Sequence, residues 1–346
     1  MERYLRKVLH GEPLDEREAE VAMTLMLTGA ARPEQIGALL TALHFRTPVA
    51  DELFGFTQAM RNHSASSASG DDLRADVAGF DLLDVCGTGG DGKGTFNVST
   101  AVAFVVAGTG QAVAKHGNRA VSSRCGSFDV LEALGVPFAT SRQEALRSLE
   151  KFNIAFLYAP SFYPGLQTLG PLRKSLGVRT VFNALGPLLN PLRPTRQLMG
   201  VYAENLLTPI AECLRRQGLK EAMVVRGADG TDEVSLEGLT HIRHMQNGRV
   251  TGLTLAPEHA GLARCSGDAL VGGDVTTNAT LLLSVLRGEP GACRDVTLLN
   301  AAVALQICGK ASTLVEGIAV AADSVDSGAA FEVLKALRTG ARQRYA

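Results

Sequence analysis

Residues 84–100 read "DVCGTGGDGKGTFNVST": five glycines in eight positions, then Asn97, Ser99 and Thr100. Glycine-rich turns expose backbone N–H groups, and a helix starting near Asn97 to Thr100 adds its positive end and side-chain donors. The chemistry this spacing points to is phosphate binding. Two standard loops match in part. Gly87, Gly89 and Gly92 satisfy the dinucleotide pattern GxGxxG, and Gly87 through Lys93 satisfies GxxxxGK. The second pattern fails at its metal ligand, because Gly94 follows Lys93 where a Ser or Thr must sit beside magnesium. The first lacks the acidic residue that ends the second strand and holds a ribose. Here that strand, "AVAKHGNR", ends in Lys115 and His116, followed by Arg119. Cations at that place suit a second phosphate better. A turn that merely caps and packs is the bland alternative; Asn97, Ser99 and Thr100 gathering where phosphates would sit speaks against it.

A second constellation follows the strand "EAMVVRG". "GADGTDEVS" places Asp232 and Glu233 side by side in a glycine-rich loop. Adjacent carboxylates repel unless solvated or bridged by a cation, and from the dipeptide alone a solvated acidic turn is the plainer explanation. At the carboxyl end of a strand in an α/β sheet, however, the loop belongs to the ligand-facing edge. Magnesium favours one or two carboxylates together with phosphate oxygens and water.

The elements that must position these groups are of two textures. Over the first sixty residues apolar side chains recur at helical spacing, broken at Gly29, Pro33 and Pro48, with Asp15 and Asp51 as expected N-caps. "SASSASGDDLRADVAGF", residues 64–80, reads as a linker or loop. From Leu82 onward short apolar strands ("LLDVC", "AVAKHG", "IAFLYAP", "TVFNAL", "LMGVYA", "AMVVRG") alternate with amphipathic runs. That alternation predicts α/β architecture: a small, mostly N-terminal helical domain over residues 1–70, with a later crossing segment near 170–195, and a larger α/β domain over 80–346 with a central, mostly parallel sheet. "FNALGPLLNP" reads as a rigid connection near the cleft between the two.

Composition narrows the function classes. The formal net charge of −1 provides no global field toward nucleic acid or anionic lipid. Six scattered cysteines without a CxxC pair argue against a zinc site or a disulfide framework and for a reducing compartment. The charged start "MERYLRKVLHGEPLDERE" is unlike a signal peptide, and the apolar run "TAVAFVVAGTGQAVA" is too short for a membrane span. A cytoplasmic soluble protein is expected. His241 and His244, in "THIRHMQNGR", read as part of a solvated hairpin rather than a metal site, and the basic tail as a terminal helix.

Taken together, "GTGGDGKGTFNVST", "KHGNRAVSSRCGSFDVLEALG", "GVRTVFNALGPLLNP" and "GADGTDEVS" resemble the anthranilate phosphoribosyltransferases, in a family shared with the pyrimidine nucleoside phosphorylases. The N-terminal "EVAMTLMLTGAARPEQIGALLTAL" is similar to that family's helical domain, so the likeness covers nearly the whole chain. The resemblance implies transfer of phosphoribose from phosphoribosyl pyrophosphate (PRPP) to the amine of anthranilate, releasing pyrophosphate, the second step of tryptophan biosynthesis. It implies that Gly87, Gly90, Asp91, Thr95, Asn97, Val98, Ser99, Thr100, Lys115, Ser123 and Ser127 hold PRPP. Ser99, Asp232 and Glu233 would bind Mg²⁺, and Gly87, His116, Asn118, Tyr163 and Arg173 would face anthranilate. A homodimer formed through the helical domain is the family precedent, with no membrane or nucleic-acid partner.

PRPP carries a diphosphate and a separate 5-phosphate, which accords with two anion sites. An aryl amine is neutral and nucleophilic near neutral pH, so catalysis should be positioning plus stabilisation of the leaving diphosphate. No catalytic triad is expected, and none is visible. The acceptor carboxylate calls for an arginine; without the resemblance, Arg173 in "GPLRKSLGVRT" would read as a surface helix charge. Two positions depart from the family pattern. Tyr163 in "APSFYPGLQ" stands where His is usual, and Phe128 in "CGSFD" is larger than the common Ala or Ser. These leave open a paralogue using another aromatic acceptor. A non-catalytic nucleic-acid-binding relative would show basic patches and eroded donor motifs, and NAD-dependent oxidoreduction is opposed by Lys115.

Overall fold

The computed structural model describes residues 1–64, 77, 79–120 and 124–342. Most of the loop expected over 64–80, and Ser123, lie outside the described residues.

Four helices come first: α1 Glu2–Leu9, α2 Glu16–Leu27, α3 Pro33–His44 and α4 Ala50–Asn62. Asp15 caps α2 as expected. Its carboxylate accepts the Glu18 N–H at 2.8 Å while Glu18 reaches back to the Asp15 N–H at 3.1 Å. Asp51 does not cap α4. That helix begins one residue earlier, and the carboxylate that satisfies its start is Glu52, which accepts the Val49 N–H at 3.1 Å. Glu52 is fully buried; Arg46 and the Leu14 N–H, at 3.0 Å, complete its partners and tie the α3–α4 turn to the residues before α2.

The second texture is a seven-stranded sheet: β1 Leu83–Gly87, β2 Val113–Gly117, β3 Ile154–Tyr158, β4 Arg196–Gly200, β5 Glu221–Gly227, β6 Thr240–Gln246 and β7 Arg249–Leu255. Its order is β3-β2-β1-β4-β5-β6-β7. The first five strands run parallel; β6 and β7 are an antiparallel hairpin on the β5 edge. Asn247 and Gly248, at φ 50° and 72°, turn that hairpin as an Asn-Gly pair favours. "TVFNAL" is not a strand. Its Thr180 N–H is taken by Asn183 Oδ1 at 3.0 Å, a helix start, and Val181–Leu185 forms a short helix.

The chain leaves β1 toward β2 and β3, then crosses back to β4 on the other side of β1. This reversal opens a crevice at the carboxyl ends of β1 and β4, the usual ligand position in such sheets. α5 (Val98–Gly108) follows β1 and is buried on nearly every face beneath the helices Ala292–Ile307 and Ala329–Arg342. The crossing segment, containing the helices Gly170–Leu176 and Val181–Leu185, packs against α3. One apolar core is therefore shared: Leu39 and Phe56 of the helical part lie in the same cluster as Leu185, Met199 and Leu214.

Gly87 and Gly200 pair at the ends of β1 and β4 and carry the loop of Asp232 directly above them. A Cβ on Gly200 would stand 1.5 Å from the Asp232 carbonyl oxygen. Gly200→Ala is expected to destabilise the chain by about 4 kcal/mol or more, read as a thermal midpoint; an unchanged midpoint would show that this packing is soft.

Candidate active site

The glycine loop is built for close approach. Gly89 and Gly90 adopt φ of 63° and 74°, a region that L side chains rarely occupy. Its inner side is held by the acidic loop: the Gly89 N–H donates to Asp232 Oδ2 at 2.7 Å, and Asp91 accepts the Lys93 N–H at 3.1 Å and the Asp232 N–H at 3.4 Å. Thr88 joins it to β4, donating its N–H to the Gly200 carbonyl at 3.0 Å and accepting the Tyr202 N–H at 2.9 Å. Thr95 lies in a bridge with Val271 on the outer side. Asn97 stands at the N-cap position of α5, Val98 is buried behind it, and Thr100 is fully buried within the helix.

Lys115, at the end of β2, is 2% exposed. Its Nζ donates to the Val85 carbonyl at 2.7 Å and to Ser99 Oγ at 3.0 Å, aiming the cation at the first turn of α5. Burial lowers its pKa, opposed by Cys86, Asp84, Glu233 and Asp232 nearby. Burial also pushes the Asp232 carboxyl up to about 7, reinforced by Asp91, and drives Glu233 well above the carboxylate range, reinforced by Asp232. Three carboxylates in a poorly solvated corner favour a bound cation, which would reverse both shifts. The donor set of Asp232, Glu233 and Ser99, all oxygen, suits Mg²⁺.

On the acceptor side the structure separates residues the sequence grouped. Asn118 is exposed just past β2, and Ser127 donates to its carbonyl at 3.4 Å from the start of α6 (Ser127–Ala133). Arg173 is partly buried, its guanidinium 4.9 Å from the Phe182 ring centroid, with no carboxylate partner among the described residues. Burial lowers its pKa, the mark of a cation short of solvent. His116 is directed inward: Nδ1 faces Asp84 Oδ2 at 2.7 Å and Nε2 faces the Gly186 carbonyl at 2.8 Å. Tyr163 is 4% exposed, and its phenol, raised to about 12 by burial, has Arg61 and Arg193 as the cations acting on it. Phe128 is core, packed edge-on against Phe138 at 5.1 Å.

Some residues near the site escaped the sequence reasoning. Arg179 stacks over Tyr202 at 4.9 Å, and its Nε lies 3.5 Å from where a Cβ on Gly90 would be. With Phe45, Arg46, Tyr202 and Leu206 it lines a cleft of about 330 Å³ between the helical part and the β4 end. Its signal was available: a second arginine, after Arg173, in "GPLRKSLGVRT". Asp84 gave none, being a single polar residue in the apolar run "LLDVC", and Gln197 and Asn278 gave none among ordinary polar neighbours.

A glycine-rich loop at the crevice of a parallel sheet, an acidic loop fit for a divalent cation and a small helical bundle define the class: a two-domain glycosyltransferase. Residues 79–331 match the family model "Glycosyl transferase family, a/b domain" and residues 2–64 its "helical bundle domain". Anthranilate phosphoribosyltransferase of Nitrobacter hamburgensis is 46% identical over 96% of this chain and 96% of its own, and that of Symbiobacterium thermophilum 45% identical over 98% and 97%. The crystal structure of anthranilate phosphoribosyltransferase from Thermus thermophilus superposes with a TM-score of 0.88 at 39% identity, covering 98% of this chain and 99% of that one. The Saccharomyces cerevisiae enzyme, in complex with PRPP and Mg, superposes at 0.86 with 29% identity, covering 99% and 97%. This chain belongs to the anthranilate phosphoribosyltransferase family.

The raised carboxyl of Asp232 has a consequence for stability. Protonated in the native state up to about pH 7 but ionised above about 4 when unfolded, it withdraws stability as pH rises through that window. Asp232→Asn, which keeps an acceptor for the Gly89 N–H, should raise the thermal midpoint of the metal-free chain by several degrees at about pH 8 and leave it unchanged near pH 4. Equal shifts at both pH values would sink this account.

Proposed function

We propose that this protein transfers phosphoribose from PRPP to the amine of anthranilate, releasing pyrophosphate. Two observations support this reading: a glycine-rich cradle braced by Asp232 at the strand ends, and a half-buried Arg173 on the crossing segment with no carboxylate partner among the described residues. The glycine loop, Asn97, Ser99 and Lys115 bind the donor, with Ser127 on its far side. Asn118 and Arg173 hold the acceptor, Arg173 taking its carboxylate. His116 contributes by fixing the β2 end against Gly186. As diphosphate departs with the C1–O bonding pair, the amine nitrogen forms the new bond to C1 and then loses a proton to water; no side chain is needed as base. Mg²⁺, held by Asp232, Glu233 and Ser99 when bound, would neutralise charge developing on the diphosphate. The cradle N–H groups and Lys115 favour the same charge, and the apolar walls around Phe182 and Tyr163 limit water. The S. cerevisiae complexes with PRPP and Mg, and with 4-fluoroanthranilate, support both halves.

Two copies are proposed to pair through the helical domain, where Leu9 and Phe45 stand exposed. A cytoplasmic location is proposed too; among the described residues no helix is long and apolar enough to cross a membrane.

The test follows loss of anthranilate fluorescence with PRPP and Mg²⁺. Turnover is expected, and turnover restricted to a different aromatic amine would overturn the acceptor. Arg173→Ala should raise the KM for anthranilate about a hundredfold with little effect on that for PRPP; parallel rises in both would remove Arg173 from the acceptor. Tyr163→Phe, which keeps the buried ring, should leave the anthranilate KM within about twofold. A tenfold rise would place the phenol on the acceptor.

A further inference from the structure

The segment 271–274, "VGGD", leads into the helix Val275–Leu286 and docks on the outer side of the glycine loop. The Gly272 N–H donates to the Gly94 carbonyl at 2.8 Å, and the Phe96 N–H donates to the Leu270 carbonyl at 2.9 Å. From that helix Asn278, 2% exposed, meets the loop. Its Oδ1 accepts the Gly273 N–H at 2.7 Å, and its Nδ2 donates to Asn97 Oδ1 at 3.0 Å. The approach is close: a Cβ on Gly272 would lie 2.4 Å from Asn278 Oδ1 and 3.0 Å from the Phe96 Cα.

A backbone N–H can only donate. Gly273 therefore fixes which end of the Asn278 amide faces it, and the NH₂ is left to face Asn97. Asn97 must meet that NH₂ with its oxygen, which leaves its own NH₂ as the group available to a ligand. The constraint matters because an asparagine at a helix start ordinarily turns its oxygen to the first N–H groups of the helix. Here the Asn97 side chain makes no such cap. An amide oxygen turned to a phosphate repels it, whereas an NH₂ donates to it.

We propose that Asn278 is a positioning residue for the phosphorylated sugar donor, holding the Asn97 amide with its NH₂ presented to the anion. This rests on the reading that Asn97 belongs to the PRPP site. The relay starts at a backbone group, so it is set by the fold before any ligand arrives.

A double-mutant cycle on the full-length protein with Mg²⁺ tests it, varying PRPP at saturating anthranilate and the reverse. Asn97→Ala and Asn278→Ala should each raise the KM for PRPP about tenfold and leave that for anthranilate within about twofold; the double variant should be no worse than Asn97→Ala. An equal added penalty from Asn278→Ala in both backgrounds would mean a merely structural role, overturning the proposal while the PRPP site stands. An unchanged PRPP KM in Asn97→Ala would instead remove Asn97 from that site, and the proposal with it. Should Asn278→Ala fail to fold, Asn278→Ser carries the same cycle.

Discussion

Three carboxylates, Asp91, Asp232 and Glu233, are pressed into one corner above two glycine strand ends, and most of the site follows from that crowding. Like charges with little water between them are unfavourable alone, so the corner needs cations or protons. Lys115 supplies one charge from below, its ammonium fixed by the Val85 carbonyl and Ser99. The remaining deficit is what a divalent ion with a phosphate ligand can fill. The glycine loop is organised by the same crowding, because Gly89 and Asp91 are bonded directly to the Asp232 loop. On the proposed function, metal affinity and phosphate affinity would thus be properties of one hydrogen-bonded unit.

The acceptor side hangs from the sheet by a different device. His116 and Gln197 donate to, or face, the carbonyls of Gly186 and Pro187, and Asn190 donates to the Ala114 carbonyl at 2.7 Å. Asp84 sits behind them, reached by His116 and by Gln197 at 3.2 Å. Burial pushes the Asp84 carboxyl up, but His116, Asn190 and Lys115 together outweigh it and hold it low. A buried network with so many partners is rigid, and it anchors the downstream end of the crossing segment. Arg173 and Arg179 lie upstream of that anchor, so they are placed by the helical part on one side and by this network on the other.

The glycine loop and the acidic loop were legible because each is written in consecutive residues: a glycine run, hydroxyls at a helix start, an acidic pair after a strand. The backbone geometry at Gly89 and Gly90 is one that glycine announces in sequence. The helical character of the first sixty residues and five of six proposed strands were legible by periodicity. "TVFNAL" was not, since its β-branched start resembles a strand while the deciding interaction is the Asn183 side chain capping Thr180. Asp51 was misassigned because α4 starts one residue before it, and the carboxylate at that start is Glu52, which reaches back to the Val49 N–H. His116 and Tyr163 show the larger limit. Their types suit a ligand, but Asp84, Gly186 and the apolar core that engage them come from distant parts of the chain, and no spacing rule brings those together.

This difference in legibility matches a difference in preorganisation. Several groups of the proposed donor site are already held before ligand binding: the Gly89 N–H by Asp232, Lys115 by Val85 and Ser99, and Asn97 by Asn278. Arg173, by contrast, is partly desolvated and among the described residues meets the face of Phe182 and no carboxylate; that face returns about 0.5–2 kcal/mol, less than a bidentate carboxylate would. On the proposed function, this imbalance would favour an anionic acceptor, since an ortho carboxylate would pair the Arg173 guanidinium and a neutral aromatic amine would leave it unpaired. Donor binding would then rest on a preset cradle, and acceptor choice on the pairing of one partly desolvated charge.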